Sequence, residues 1–227
     1  MAPHPEQEAL INSNPRLQGY YQSLESRIGY RLLLGGTRYF GFYENDILWP
    51  FPISRALRAM ENKLAASLDL PSGAYVLVAG CGVAHVATNL ITKYGFKVEG
   101  IDVIEHHLVK SKRNIARSGL LEHQIAAQKM DYHHLEMFGA ETFDGVYTME
   151  SFIHAPDPET ALARFFQVLR PGGHLSLFEY DHEIHDDSPE LVVSFINEIA
   201  AMPTNARSHR GVFKQMLEDA GFRYCCA

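Results

Sequence analysis

Five short apolar runs, at residues 75–79, 97–101, 125–129, 144–148 and 173–179, alternate with helical patterns at 84–94, 105–118, 135–138 and 158–169. This alternation constrains the fold more than any other feature of the chain. When a helix separates each strand from the next, the strands lie parallel in one sheet and the crossovers run right-handed. The predicted fold class is therefore α/β, a doubly wound and mostly parallel sheet of Rossmann-like form. In such sheets a ligand sits beyond the carboxyl ends of the strands, near the first one. That rule selects the loops at 79–85, 102–104, 130–133, 149–155 and 179–186 as the functional ones.

Upstream of the alternation, residues 7–34 read as helical and "GGTRYFGFYENDILWPFP" (35–52) as an aromatic, Gly- and Pro-rich loop. A further helix is expected from Ser54, as its cap, to Leu68. The organisation is thus an N-terminal helical and aromatic segment, 1–53, followed by one ligand-binding domain, 54–227. The 227 residues suffice for one domain with a large core. A net charge of −7 and the lack of a basic run argue against nucleic acid as a partner. No run approaches the length of a membrane span, and "MAPHPEQEAL" lacks a signal-peptide pattern. Cysteines 81, 225 and 226 have no metal-site spacing, so a reducing, cytoplasmic setting is expected.

Gly80 and Gly82 follow the first strand in "YVLVAGCGVAHVATNL" and open a helix. Glycines there let the backbone approach a ligand, although a plain strand-to-helix turn has the same appearance. Asp102 ends the second strand about 20 residues on, where an acid accepts ribose hydroxyls or caps the next helix. Met130 and Asp131 end the third strand, an apolar side chain beside a carboxylate, which suits an adenine ring. After the fourth strand comes "MESFIHAPDPE", with Glu150 and His154 on one functional loop. His154 could move a proton, orient a substrate, or only fix the loop by hydrogen bonds. His182 and His185 match no closed metal site, and no metal is expected. His106–His107 and His133–His134 read as surface positions.

The order of these pieces, with "FDGVYTMES" and "LRPGGHLSLFEY", resembles class I S-adenosylmethionine-dependent methyltransferases over roughly residues 15–222. "GCGVA" and "MESFIHAPDPE" look most like the sterol 24-C-methyltransferase and tocopherol methyltransferase branch. The resemblance implies S-adenosylmethionine as cofactor and S-adenosylhomocysteine as product. Gly80, Cys81 and Gly82 would line its methionine and ribose side. Asp102 and Val103 would hold the ribose and the adenine edge, Met130 and Asp131 would flank adenine, and Glu150 would lie near the transferring methyl. Most affinity would come from loop N–H groups, Asp102 and adenine packing. The expected reaction is methyl transfer to carbon, oxygen or nitrogen of a small, largely apolar acceptor of sterol, terpenoid or secondary-metabolite type. Glu150 and His154 would be its catalytic residues, and Tyr39 and Phe42 would form an aromatic lid over the substrate with His154.

Departures from the pattern motivate an alternative: a methyltransferase-fold protein that binds the cofactor without transferring methyl, as a rearrangement catalyst or a binding protein. Val78 replaces the usual acid before the glycines, Ala84 replaces a glycine, and His85 adds bulk. After the fifth strand the class calls for a helix and two antiparallel strands, and "RYCCA" leaves room for the start of one. The expected consequence is an exposed sheet edge, covered by a homodimer or partner chain unless the chain is a truncated form. An NAD-dependent oxidoreductase shares the glycines and Asp102, but not the "MD" pair or the Pro-Gly-Gly turn.

Overall fold

The computed structural model describes residues 17, 19, 41–43, 52–179, 202 and 212–223. Its elements run α1 (Ile53–Leu68), β1 (Tyr75–Ala79), α2 (His85–Tyr94), β2 (Lys97–Asp102), α3 (Glu105–Ser118), β3 (Ile125–Lys129), β4 (Phe143–Met149), a 3-10 turn (Phe152–His154), α4 (Pro158–Val168), β5 (Leu169–Phe178) and α5 (Val212–Asp219). All four strand pairings are parallel, and the order across the sheet is β3-β2-β1-β4-β5. The chain moves outward from β1 to β3 and then returns to β4 on the other side of β1. The direction of winding therefore switches between β1 and β4, where a crevice opens at the carboxyl ends.

The central strands read as apolar runs because both faces of the sheet are covered. Alternate residues of β1 enter opposite cores. Leu77 and Ala79 join Ile101, Phe152 and the α4 side chains Leu162, Phe165 and Val168 on one face. Val76 and Val78 join Leu64 and Leu68 of α1 and Leu90 and Ile91 of α2 on the other. Val78, standing where an acid is usual, is thus a core residue.

Three local expectations are corrected. The N-cap of α1 is Pro52 with no side-chain cap bond, and Ser54 lies inside the helix. Residues 135–138 form a turn, with the Phe138 N–H on the Leu135 carbonyl, and no helix. β5 begins at Leu169, not 173: Leu169 pairs with Phe143 and His174 with Gly145, so the Pro-Gly-Gly segment is an irregular insertion within the strand. By contrast, Asp157 caps α4 through the Thr160 N–H at 3.0 Å, with Pro158 in the first turn. Among the described residues, no strand pairs with the outer edge of β5.

Candidate functional site

A cleft of about 590 Å³, open to solvent, lies at the carboxyl ends of β1, β2 and β4. Gly80, Gly82, Asp102, Val103, Ile104, His107, Met130, Tyr132, Met149, Glu150, Ser151 and His154 line it, with Leu17 from the N-terminal segment. The sequence-predicted residues Gly80, Gly82, Asp102, Val103, Met130, Glu150 and His154 are brought together here. Cys81, Asp131 and Phe42 are not among the lining residues. Tyr39, His182 and His185 lie outside the described residues.

The two glycines do different work. A Cβ on Gly80 would meet the Ser151 Cβ at 2.4 Å, so Gly80 makes room for the loop after β4. A Cβ on Gly82 would meet nothing within 4 Å and would project into space that the cleft now occupies. Four of the loop's N–H groups are engaged within the protein. The amides of Gly80 and Cys81 both donate to the Ile101 carbonyl at 2.9 Å, that of Gly82 to Asp102 Oδ2 at 2.8 Å, and that of Ala84 to the Cys81 carbonyl. Cys81 turns under the loop toward β2, where a Cβ on Gly100 would sit 3.1 Å from its sulfur. Burial, and then the nearby Asp102 carboxylate, push its thiol well up, so it stays protonated.

Asp102 accepts the Gly82 amide on Oδ2 and the Ile104 amide on Oδ1 at 2.7 Å. His107 Nδ1 lies 3.3 Å from Oδ2. Asp131 Oδ1 accepts both the backbone N–H and the Nδ1 of His133, at 2.9 and 2.8 Å, while Oδ2 takes no hydrogen bond among the described residues. Both histidines are buried, His107 at 3% and His133 at 6% exposure, which overturns their reading as surface positions. Each orients a carboxylate. The signal for His133 was its place two residues after an aspartate, the spacing of a side-chain-to-backbone turn; His107 had no comparable signal.

The loop after β4 is fastened on three sides. Glu150 adopts φ 53°, a left-handed conformation uncommon outside glycine, and its N–H donates to the Phe178 carbonyl at 2.8 Å. Ser151 Oγ donates to the Ala79 carbonyl at 2.5 Å, and Tyr132 donates from its hydroxyl to the Ser151 carbonyl. Glu179, which the sequence reading missed, takes four bonds on its carboxylate: from Thr148 Oγ1 and from the amides of Ser151, Phe152 and Ile153. Burial outweighs these bonds and pushes its carboxyl up to about 7. Phe42 sits against α1, its N–H on the Ala56 carbonyl and the Lys63 ammonium 4.0 Å from its ring centre.

The donor set fits S-adenosylmethionine. Asp102 Oδ1 bears a single donor and so has a lone pair free for a ribose hydroxyl. Val103, Ile104 and Met130 give an apolar wall for a purine, and the carboxylates of Asp102 and Glu150 suit a ligand carrying positive charge.

Comparison with known proteins agrees. A family described as "Methyltransferase domain" matches residues 77–177. An S-adenosyl-L-methionine-dependent Diels-Alderase of Talaromyces variabilis is 45% identical, over 91% of this chain and 72% of its own. Another, of Neonectria sp., is 43% identical over 93% of this chain and 84% of its own. The cyclopropane synthase MmaA2 of Mycobacterium tuberculosis shares the fold, with a TM-score of 0.79, 16% identity, and coverage of 96% of this chain and 77% of that one. Likeness to the sterol branch is more remote: a sterol 24-C-methyltransferase of Aspergillus fumigatus is 30% identical, over 61% of this chain and 37% of its own. The chain belongs to the S-adenosylmethionine-dependent methyltransferase-fold family, in the company of these Diels-Alderases.

Proposed function

We propose that this protein binds S-adenosylmethionine in the cleft and catalyses an intramolecular cycloaddition of a small, largely apolar polyene, without transferring methyl. One observation carries the reading: identity of 45% and 43%, over more than nine tenths of the chain, with two Diels-Alderases that depend on this cofactor. Asp102 would hold the ribose, Val103, Ile104 and Met130 would pack the adenine, and Asp131 Oδ2 would accept from its amine. When bound, the cofactor supplies a fixed sulfonium charge and a transferable methyl. A cycloaddition uses only the first. A diene and an alkene of one molecule give two new carbon–carbon σ bonds and a shifted double bond, with no proton moved and no group lost. Such a step needs a shaped, dry cavity that holds the two ends in contact. Leu17, Tyr132 and Met149 supply apolar walls, and His154 would orient a polar group of the substrate. The N-terminal segment that contributes Leu17 would act as the lid.

A second reading, methyl transfer to an apolar acceptor with Glu150 or His154 as base, is favoured by the methyltransferase-domain match. One experiment separates the two. The protein is incubated with S-adenosylmethionine and the substrates of the two Diels-Alderase relatives, and products are read by mass spectrometry. The cycloaddition reading expects a product isomeric with its substrate and no S-adenosylhomocysteine. A product heavier by one methylene, formed with equimolar S-adenosylhomocysteine, would establish methyl transfer instead.

A further inference from the structure

The geometry points to Glu179, at the end of β5, as the positioning residue that holds the cofactor-facing loop 149–154 in its binding shape. This rests on the reading of the cleft as an S-adenosylmethionine site. Three successive backbone N–H groups, those of Ser151, Phe152 and Ile153, converge on its carboxylate at 3.2, 3.0 and 3.3 Å. They are the amides that open the 3-10 turn, and a helical turn leaves its first amides without partners of its own. Thr148, fully buried in β4, adds its hydroxyl at 2.5 Å. Phe152 and Ile153 are core residues, so their amides cannot turn to water if the carboxylate is removed. Neighbouring Phe178 takes the Glu150 amide, and this helps keep Glu150 in its left-handed conformation. The end of β5 therefore fixes a loop that gives Met149, Glu150, Ser151 and His154 to the cleft. Glu179 is not itself among the lining residues, so it acts on the ligand only through that loop.

The test compares wild type with E179A, E179Q and a control, D144N. Asp144 lies at the opposite end of β4, where it accepts the Tyr75 amide and pairs with Arg170. Hydrogen exchange of the amides at 151–153 and calorimetric titration with S-adenosylhomocysteine are both read well below each melting temperature. E179A is expected to speed exchange at these amides and to weaken S-adenosylhomocysteine by about tenfold or more. E179Q, whose carbonyl oxygen can still take the bonds from Thr148, Ser151 and Phe152, is expected to restore affinity to within about threefold of wild type. D144N is expected to lower the melting temperature and leave affinity unchanged. If E179A does not fold, E179D replaces it, since its shorter side chain cannot reach all four donors. A folded E179A or E179D that binds as wild type does, or a D144N that weakens binding as much as E179A, would overturn the positioning role. Wild type that does not bind S-adenosylhomocysteine overturns the cofactor reading, and exchange at 151–153 then decides the clamp alone: unchanged rates in E179A refute it.

Discussion

At the scale of single residues, identical letters proved to have different physical jobs. Gly80 and Gly82 read as one motif, yet Gly80 yields space to Ser151 and Gly82 yields it to the cleft. G80A should therefore be destabilising by a few kcal/mol, since the methyl collides with Ser151 and φ there is 93°. G82A should cost only about 1 kcal/mol of backbone strain but weaken S-adenosylmethionine about tenfold or more by filling the cleft. Thermal melts and calorimetric titration of both variants check the division, and equal effects on affinity would contradict it. Ala84, which departs from the expected glycine, adopts φ 64° and buries its methyl in the core. Strain of about 1–2 kcal/mol is offset by a buried methyl and by less freedom in the unfolded chain. A84G should change stability by less than about 1 kcal/mol in urea unfolding. Glu179 gives a pH signature. Its carboxyl titrates near 7 in the folded protein against 4.5 in an open chain. Between those values the folded state keeps a proton that the unfolded state has released. Its stabilising contribution is complete below pH 4.5 and fades as pH rises to 7, by at most about 3 kcal/mol. Urea midpoints measured across this window should fall with pH in wild type and fall less in E179Q.

At the scale of elements, legibility followed the apolar runs rather than the number of faces buried: β1 packs on both faces, whereas β3 is an edge strand with only Ile125 buried. β1 and β3 have the bounds predicted for them, β2 runs one residue further at its carboxyl end, and β4 runs one residue further at each end. Errors fell where the periodic signal was not about burial. Leu135 and Phe138 look like one helical face, but each packs into the core from a turn. The Pro-Gly-Gly segment reads as a break, yet the strand accommodates it as an irregular insertion. The acidic residues of the site were visible and their buried partners His107 and His133 were not: the pairings span five and two positions, and neither leaves a mark in the apolar periodicity that placed the elements. α4 follows the predicted 158–169 pattern except that Leu169 belongs to β5, and its Asp157 cap and Pro158 fix its start. Its buried face carries the sheet's second layer, so L162A should cost about 2–5 kcal/mol. A loss below about 1 kcal/mol in urea unfolding would show that α4 is not seated as described.

At the scale of the whole molecule, the sheet order explains why residues from three strands meet. The switch between β1 and β4 places Gly82, Asp102 and Glu150 around one cleft although 68 positions separate the first from the last. The cofactor class was legible because it depends on residues fixed to strand ends. The reaction was not, because a cycloaddition and a methyl transfer both call for an apolar cavity beside the same cofactor. Kinship with the Diels-Alderases bears on that choice. The claim beneath both readings is that the folded chain holds S-adenosylmethionine in this cleft, and calorimetric titration of wild type tests it most directly. The account predicts one saturable site per chain, weakened in G82A while the fold is kept. Folded wild-type protein that gives no binding to S-adenosylmethionine or S-adenosylhomocysteine would contradict it.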